Sequence, residues 1–266
     1  MKSIIFLILV LLVNKVEAQG PVWFADFNKA KAECKSSGKL MVIDFWADWC
    51  MPCKVMDEAF WNNPDLEIDY KGFVALKINV DKDSSTPPKF EVEGIPKIVV
   101  TLPDGRILWE KVGYTRGENF SDVLNAIPGD VSDLYKVYFS INALGKDSEC
   151  SFQIARRFQK LAAANGNREL KEALIAQDEF FFRKALKDNT APVMKDDIEV
   201  YLLLNEVYRG HPDKAMKKFG KLATGTNPEL QHFFLANCYK ALNEPENFDR
   251  EYQLLSDSEL KSQLVK

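Results

Sequence analysis

The chain has 266 residues, of which 46% are apolar and 28% charged, and its formal net charge is −4 with acidic and basic residues interspersed throughout. That composition excludes a disordered chain. No Lys/Arg block exists to track a phosphate backbone, so nucleic acid is not expected as a partner. The length accommodates about two domains.

Lys2 is followed by an unbroken apolar run over residues 4–13 and then by Val16-Glu17-Ala18. This is the pattern of a secretory signal peptide over residues 1–18, cleaved after Ala18. The run is about half of the ~20 residues that a membrane span needs, which disfavours the alternative of an anchor. No Cys follows the cleavage site and no later stretch is long enough to span a bilayer. The mature chain is therefore expected in the periplasm or outside the cell, without stable membrane insertion, where disulfides persist.

Residues 40–46 (LMVIDFW) form a continuous apolar run carrying one acid, which predicts a buried central strand. Trp49-Cys50-Met51-Pro52-Cys53-Lys54 follows and leads into a helical stretch, VMDEAF. Residues 73–80 and 97–102 predict two more buried strands. Pro103-Asp104-Gly105 is turn chemistry, and residues 106–112 return as a fourth strand. A short amphipathic helix is expected over 118–127. Alternating strand and helix followed by a hairpin and helix means an α/β layered domain over 19–128.

Pro128-Gly129-Asp130 marks the end of that pattern. Beyond it, over 130–266, apolar residues recur at helical spacing, and an all-α helical-hairpin domain is expected. Its helices are predicted near 131–144, 148–164, 168–188, 194–209, 211–222, 228–241 and 246–256, with start signals at Ser132, Asp197 and Asn227-Pro228. Leu204-Asn205-Glu206-Val207-Tyr208 is echoed by Leu235-Ala236-Asn237-Cys238-Tyr239, and Ala215 and Phe219 sit four apart between them. The echo resembles a degenerate tetratricopeptide repeat; a nonrepeating helical bundle is the alternative.

The chain has five cysteines: Cys34, Cys50, Cys53, Cys150 and Cys238. The number is odd and only one pair is close, so this is not a disulfide scaffold. A dithiol enzyme needs one thiolate that attacks a disulfide and a second thiol that resolves the mixed disulfide. Two Cys separated by two residues at a helix start meet that need. Cys50 faces the N-terminal amides, which lower its pKa and leave it the exposed nucleophile, and Cys53 lies a turn later, partly covered. Pro52 costs little there because its missing N–H would be unpaired anyway. Structural zinc needs four ligands, and the only histidines are His211 and His232, far along the helical half, so zinc is not expected, and dithiol–disulfide exchange itself calls for no metal or organic cofactor. Cys34, Cys150 and Cys238 lie in helix-like sequence, where buried inert thiols are the default. A Cys150–Cys238 bridge stays open.

The stretch Asp44-Phe45-Trp46-Ala47-Asp48-Trp49-Cys50-Met51-Pro52-Cys53-Lys54 resembles the active-site strand and helix start of the thioredoxin family, with Met51 where thioredoxin has Gly. Gly94-Ile95-Pro96 is similar to the loop that carries that family's cis-proline, and the resemblance runs through Gly113, covering residues 22–128. Asn62-Asn63-Pro64 makes the stretch between helix and strand longer than in thioredoxin. It is similar to the exported bacterial branch that includes the C-terminal domain of the transmembrane reductase DsbD. The resemblance implies a thioredoxin fold and a thiol–disulfide oxidoreductase acting on protein disulfides, with a DsbD-like membrane electron donor. It further implies that Pro96 is cis and faces the cysteines, and that Asp44 is buried beneath Cys53, where it exchanges a proton with the resolving thiol. Lys77 would lie close to Asp44. Trp49, Met51, Pro52, Ile95 and Pro96 would form the substrate-binding surface. The alternative readings are Asp44 as a strand-end acid reaching water, Lys77 as a snorkelling surface lysine and Pro96 as an ordinary trans proline. Phe45 and Trp46 read as core.

Met51-Pro52 carries no positive side chain to stabilise a thiolate, and Asp48 just before the motif is expected to raise the pKa of Cys50. Both favour a reductase, with a potential nearer ~−270 mV than ~−120 mV. The alternatives are an oxidase or isomerase, or a helical protein-binding module that uses the first domain as a recognition platform.

Overall fold

A computed structural model describes residues 20–140, 148–188, 192–222 and 227–264. The expected signal peptide lies outside the described residues.

The first half is a five-stranded sheet with helices on both faces. Its strands are β1 (Trp23–Phe24), β2 (Met41–Trp46), β3 (Val74–Asn79), β4 (Lys97–Thr101) and β5 (Ile107–Val112), in the order β1-β3-β2-β4-β5. β1 and β2 run parallel to β3, while β4 is antiparallel to β2 and to β5. β2 sits at the centre, which is why its sequence is apolar at nearly every position. Successive side chains alternate across the sheet. Met41, Ile43 and Phe45 pack on one face with Cys34 and Phe90, and Val42 shares the opposite face with Met56, Phe60 and Trp61.

α1 (Phe27–Ser37) starts at Asp26, whose side chain accepts from Lys29 N–H, and ends at Gly38, which adopts the left-handed conformation (φ 69°). A Cβ on Gly38 would stand 2.8 Å from Asp130 Oδ1 and 2.9 Å from Ser132 Cβ, so glycine serves both the helix end and the close approach of the second half. α2 (Met51–Met56) continues as a π-helical turn over Asp57–Trp61. α3 is shorter than expected, Ser121–Asn125, because Glu118 is taken into the preceding turn, where its carboxylate accepts from Thr115 N–H.

The second half is helical throughout its described residues: α4 (Ser132–Tyr138), α5 (Ser148–Ala164), α6 (Arg168–Asp188), α7 (Pro192–Tyr208), α8 (Pro212–Phe219), α9 (Pro228–Ala241), α10 (Pro245–Leu254) and α11 (Ser258–Leu264). Ser132 opens α4 in the first turn as expected, while Asp197 acts differently. Asp130, not Ser132, supplies the acceptor at the head of α4, taking Ser132 N–H at 2.8 Å. Asp197 lies inside α7, and its carboxylate accepts from Asn227 N–H. Asn227 does cap α9, through Glu229 N–H.

The hairpins α7/α8 and α9/α10 turn in the same way. Gly210 (φ 87°) and Asn243 (φ 58°) take the left-handed position, and Pro212 and Pro245 open the second helix of each. The N–H groups of His211 and Glu244 return to the carbonyls of Glu206 and Tyr239 at 2.8 and 2.9 Å. Equivalent turn residues differ by 33 in number (210 and 243, 212 and 245). The sequence echo at Leu204 and Leu235 is thus two residues out of step with the geometry.

One apolar cluster joins the halves. Val100, Leu102 and Leu108 of the sheet belong to the same core as Leu134, Tyr138, Phe158, Phe181 and Phe233. Polar contacts fasten the seam: Tyr135 OH donates to Lys39 O at 2.8 Å, and Arg106 donates to Tyr138 OH and Gln177 Oε1, both at 3.0 Å. A chain ending at Pro128 would expose this shared surface. It is expected to melt well below the full chain and to bind a hydrophobic dye. Thermal melts of the two chains test this, and equal midpoints would show that the halves fold independently.

Candidate active site

β2 ends at Trp46, and a turn closed by Cys50 N–H to Ala47 O (3.1 Å) delivers Cys50 to the N-cap of α2. Cys50 and Cys53 form a disulfide with Cα atoms 5.3 Å apart. The Cys50 sulfur accepts from Cys53 N–H at 3.2 Å, which is the place where helix amides favour negative charge. The expected contrast between an exposed Cys50 and a covered Cys53 is absent in this oxidised state. Their exposures are 2% and 1%: both cysteines form a buried cluster with Ala47, against which Trp46, Val80 and Ile95 pack. What distinguishes Cys50 is its capping position. Cys34 and Cys238 are buried thiols, and Cys150 and Cys238 are not bonded to each other. Burial pushes both the Cys34 and the Cys238 thiol up to about 12, which keeps them protonated.

Around the buried disulfide the rim is open. Trp49 and Met51 are 68% and 65% exposed, and Pro52 beside them is exposed as well. The Trp49 indole N–H donates to Asp81 Oδ2 at 2.9 Å, which fixes the ring's orientation. The Ile95–Pro96 peptide is cis. Pro96 is buried, its carbonyl accepts from Gly113 N–H at 2.7 Å, and Ile95 packs against the cysteines. The expected effect of Asp48 on Cys50 is weakened, because Lys82 lies 3.0 Å from its carboxylate and holds its pKa below the usual range.

Beneath α2, the alternation along β2 puts Asp44 on the face that carries Val42, and the strand register pairs Asp44 with Lys77 of β3. Asp44 is fully buried, so it is not a strand-end acid reaching water. Lys77 Nζ stands 3.5 Å from Asp44 Oδ2 and contacts Asp57 more closely. Its ammonium also lies over the rings of Trp23 and Trp46, at 5.4 and 5.3 Å. Lys77 is thus a paired lysine and not a snorkelling one. Burial pushes the Asp44 carboxyl up to about 7 against the pull of Lys77, and the charge of Asp57 adds to the rise. Among the described residues neither Asp44 oxygen has a hydrogen-bond partner of ordinary geometry, and the Trp61 indole N–H, buried nearby, has none either. Asp57 escaped the sequence reading. The available signal was its position four residues after Cys53, one turn along the same helix face.

Among the described residues no group of three or more His, Cys, Asp or Glu side chains is placed to hold a metal. His232 Nδ1 instead lies 2.8 Å from Glu251 Oε2. A cavity of about 790 Å³ opens between α3 and the α5–α6 turn, lined by Asp122, Asn125, Asn165 and Glu169, and none of its lining residues belongs to the disulfide region.

The thioredoxin family model matches residues 23–126. Thioredoxins of Staphylococcus aureus are 36% identical to the chain over 97 residues, a stretch covering 36% of this chain and 89% of theirs. Among solved structures, a thioredoxin from Nicotiana alata is 27% identical, with 37% of this chain and 87% of that one covered and a TM-score of 0.31. A Malassezia sympodialis thioredoxin is likewise 27% identical, covering 37% and 84%, with a TM-score of 0.30.

The buried Asp44 has a consequence for stability against pH. Between about pH 4 and pH 7 the folded, oxidised protein keeps a proton that the unfolded chain releases. The contribution of this residue is therefore fully present below about pH 4 and is lost as pH rises through about 7. Asp44→Asn is expected to match wild type near pH 4 and to exceed it near pH 8 by ~2–4 kcal/mol. Urea unfolding of both oxidised proteins at the two pH values measures this; an equal gap at both would rule out a neutral buried Asp44.

Proposed function

The chain belongs to the thioredoxin family, and from that membership we propose that it is an exported thiol–disulfide oxidoreductase that reduces disulfides in protein substrates. The observation that carries the reading is the Cys50–Cys53 pair at the head of α2, with the Cys50 sulfur at the N-cap and a buried carboxyl on the sheet face below.

In the proposed cycle the Cys50 thiolate attacks one sulfur of a substrate disulfide. A Cys50–substrate S–S bond forms and the other substrate sulfur leaves as a thiolate. Cys53 then gives its proton to ionised Asp44 and attacks the Cys50 sulfur. The Cys50–Cys53 disulfide forms, and the second substrate thiolate departs. Two electrons pass from the dithiol to the substrate. Burial, opposed by the charge of Lys77 and aided by that of Asp57, holds Asp44 near the pKa that such a proton transfer requires. Trp49, Met51, Pro52, Ile95 and Pro96 supply the surface on which an extended substrate segment lies.

The uncharged Met51-Pro52 pair is the feature that favours reduction over oxidation, since no side chain there adds positive charge for the thiolate. The pairing of Asp48 with Lys82 weakens the other argument for that direction. A reductase needs its own source of electrons. The longer Asn62-Asn63-Pro64 stretch, similar to the DsbD branch, supports a DsbD-like membrane donor. The helical half is proposed to recognise a client or partner, a role supported by its two like-turned hairpins.

Cys50→Ser is expected to abolish reduction of insulin disulfides, and Cys53→Ser to accumulate mixed disulfides that non-reducing gels and mass spectrometry identify. Faster alkylation of Cys53 than of Cys50 in the reduced enzyme at neutral pH would reverse the assignment. Export is tested separately. The protein from its native host is expected to begin near Gln19, and an intact Met1 on cytoplasmic protein would overturn that part of the reading.

A further inference from the structure

Lys97 is the first residue of β4, directly after the cis Ile95–Pro96 peptide, and it is only 4% exposed. An ammonium carries three donors. Three acceptors surround this one: Phe90 O at 2.8 Å, Glu91 O at 3.3 Å and Glu110 Oε2 at 2.9 Å. Glu110 lies on β5, opposite Val99, so strand alternation puts it on the same face as Lys97. That face is the reverse of the one carrying Asp44, which registers with Ile98. Lys97 therefore stands apart from the acid beneath the disulfide.

The contacts of Lys97 close the base of one loop. Residues 91–96 leave the short 3₁₀ turn Pro87–Phe90 and re-enter the sheet at Lys97. Glu91, at the start of the loop, holds the left-handed conformation (φ 50°) while its N–H bonds the carbonyls of Pro87 and Pro88. The ammonium ties the carbonyls on either side of that bend to the start of β4, and Glu110 anchors the ammonium to β5. Ile95, within the loop, touches the cysteine pair. A buried lysine is costly against an apolar residue of similar size, so the three acceptors gathered around this one point to a positional role over a stabilising one.

We propose that Lys97, anchored by Glu110, is a positioning residue that sets the backbone of residues 91–96 for docking of an extended protein substrate and leaves the thiol exchange itself untouched. The proposal rests on the oxidoreductase reading above. It is tested in the full chain with Lys97→Met, Lys97→Arg and Glu110→Gln. Each is assayed on insulin, on the small disulfide DTNB and for redox potential by equilibration with glutathione. Lys97→Met is expected to raise the KM for insulin about fivefold to tenfold, with kcat, the DTNB rate and the potential close to wild type. Lys97→Arg is expected to restore most of the loss. Should Lys97→Met fail to fold, Glu110→Gln carries the test, with the same KM signature at roughly twofold to threefold. Equal losses on insulin and DTNB, a shifted potential, or an unchanged insulin KM would each overturn the proposal. A wild-type protein inactive on both substrates would instead overturn the oxidoreductase reading.

Discussion

A carboxyl group buried in the middle of a sheet is the constraint around which the disulfide end of this protein is organised. β2 is the central strand, so a side chain on either face is cut off from water, and Asp44 is fully buried. An unpaired carboxylate there would be costly enough to neutralise itself. The fold answers with Lys77 from the neighbouring strand, which is in turn held by Asp57 and flanked by the rings of Trp23 and Trp46. Those contacts need β1 and β3 in register beside β2, and they need α2 to lie across the sheet with Asp57 one turn beyond Cys53. The position of the disulfide and the pairing of the strands are therefore parts of one arrangement.

The two halves are bound by a second constraint. The β4–β5 end of the sheet presents Leu102 and Leu108, and α2 and α3 lie across other parts of that sheet face. The helical half completes the cover with Leu134, Tyr138, Phe158 and Phe181, while Arg106 is held between Tyr138 and Gln177 and stacks on Phe180 and Phe181. The helices thus act first as walls of a common core. Their outer surfaces are what remains for any proposed partner.

The sequence carried the central strands, the cysteine pair and the cis-proline loop plainly, because each has a local signature: an unbroken apolar run, a fixed spacing, a short motif. Several helices of the second half, including α6 and α9, were legible to the residue from caps and periodicity. The misses have different causes. β1 is two residues long and shows no period. The acceptor roles of Asp130 and Asp197 depend on where the chain turns next. The sequence echo lies two residues out of step with the two like turns because it follows side-chain similarity and not the left-handed positions Gly210 and Asn243. Asp57 and Lys97 went unread because a charged residue looks solvent-facing until the strand beside it is known. Cys50 was expected to be exposed from its helix position, which says nothing about Ile95, packed against the cysteine cluster from a distant loop.

Those last residues divide the proposed work between the two faces of the sheet. On one face Asp44, Lys77 and Asp57 govern proton availability below the disulfide. On the other, Lys97 and Glu110 hold the loop that touches it from the side. β2 and β4 are adjacent and antiparallel, so the end of one and the start of the other meet at the same edge, with Phe45 opposite Lys97. Only there can a loop entering β4 and a helix leaving β2 converge on one pair of sulfurs. Because successive side chains alternate, the neighbouring residues Lys97 and Ile98 serve different faces, and a change at Lys97 leaves the surroundings of Asp44 intact. Substrate docking and thiol chemistry can then be tuned separately while sharing a single strand edge.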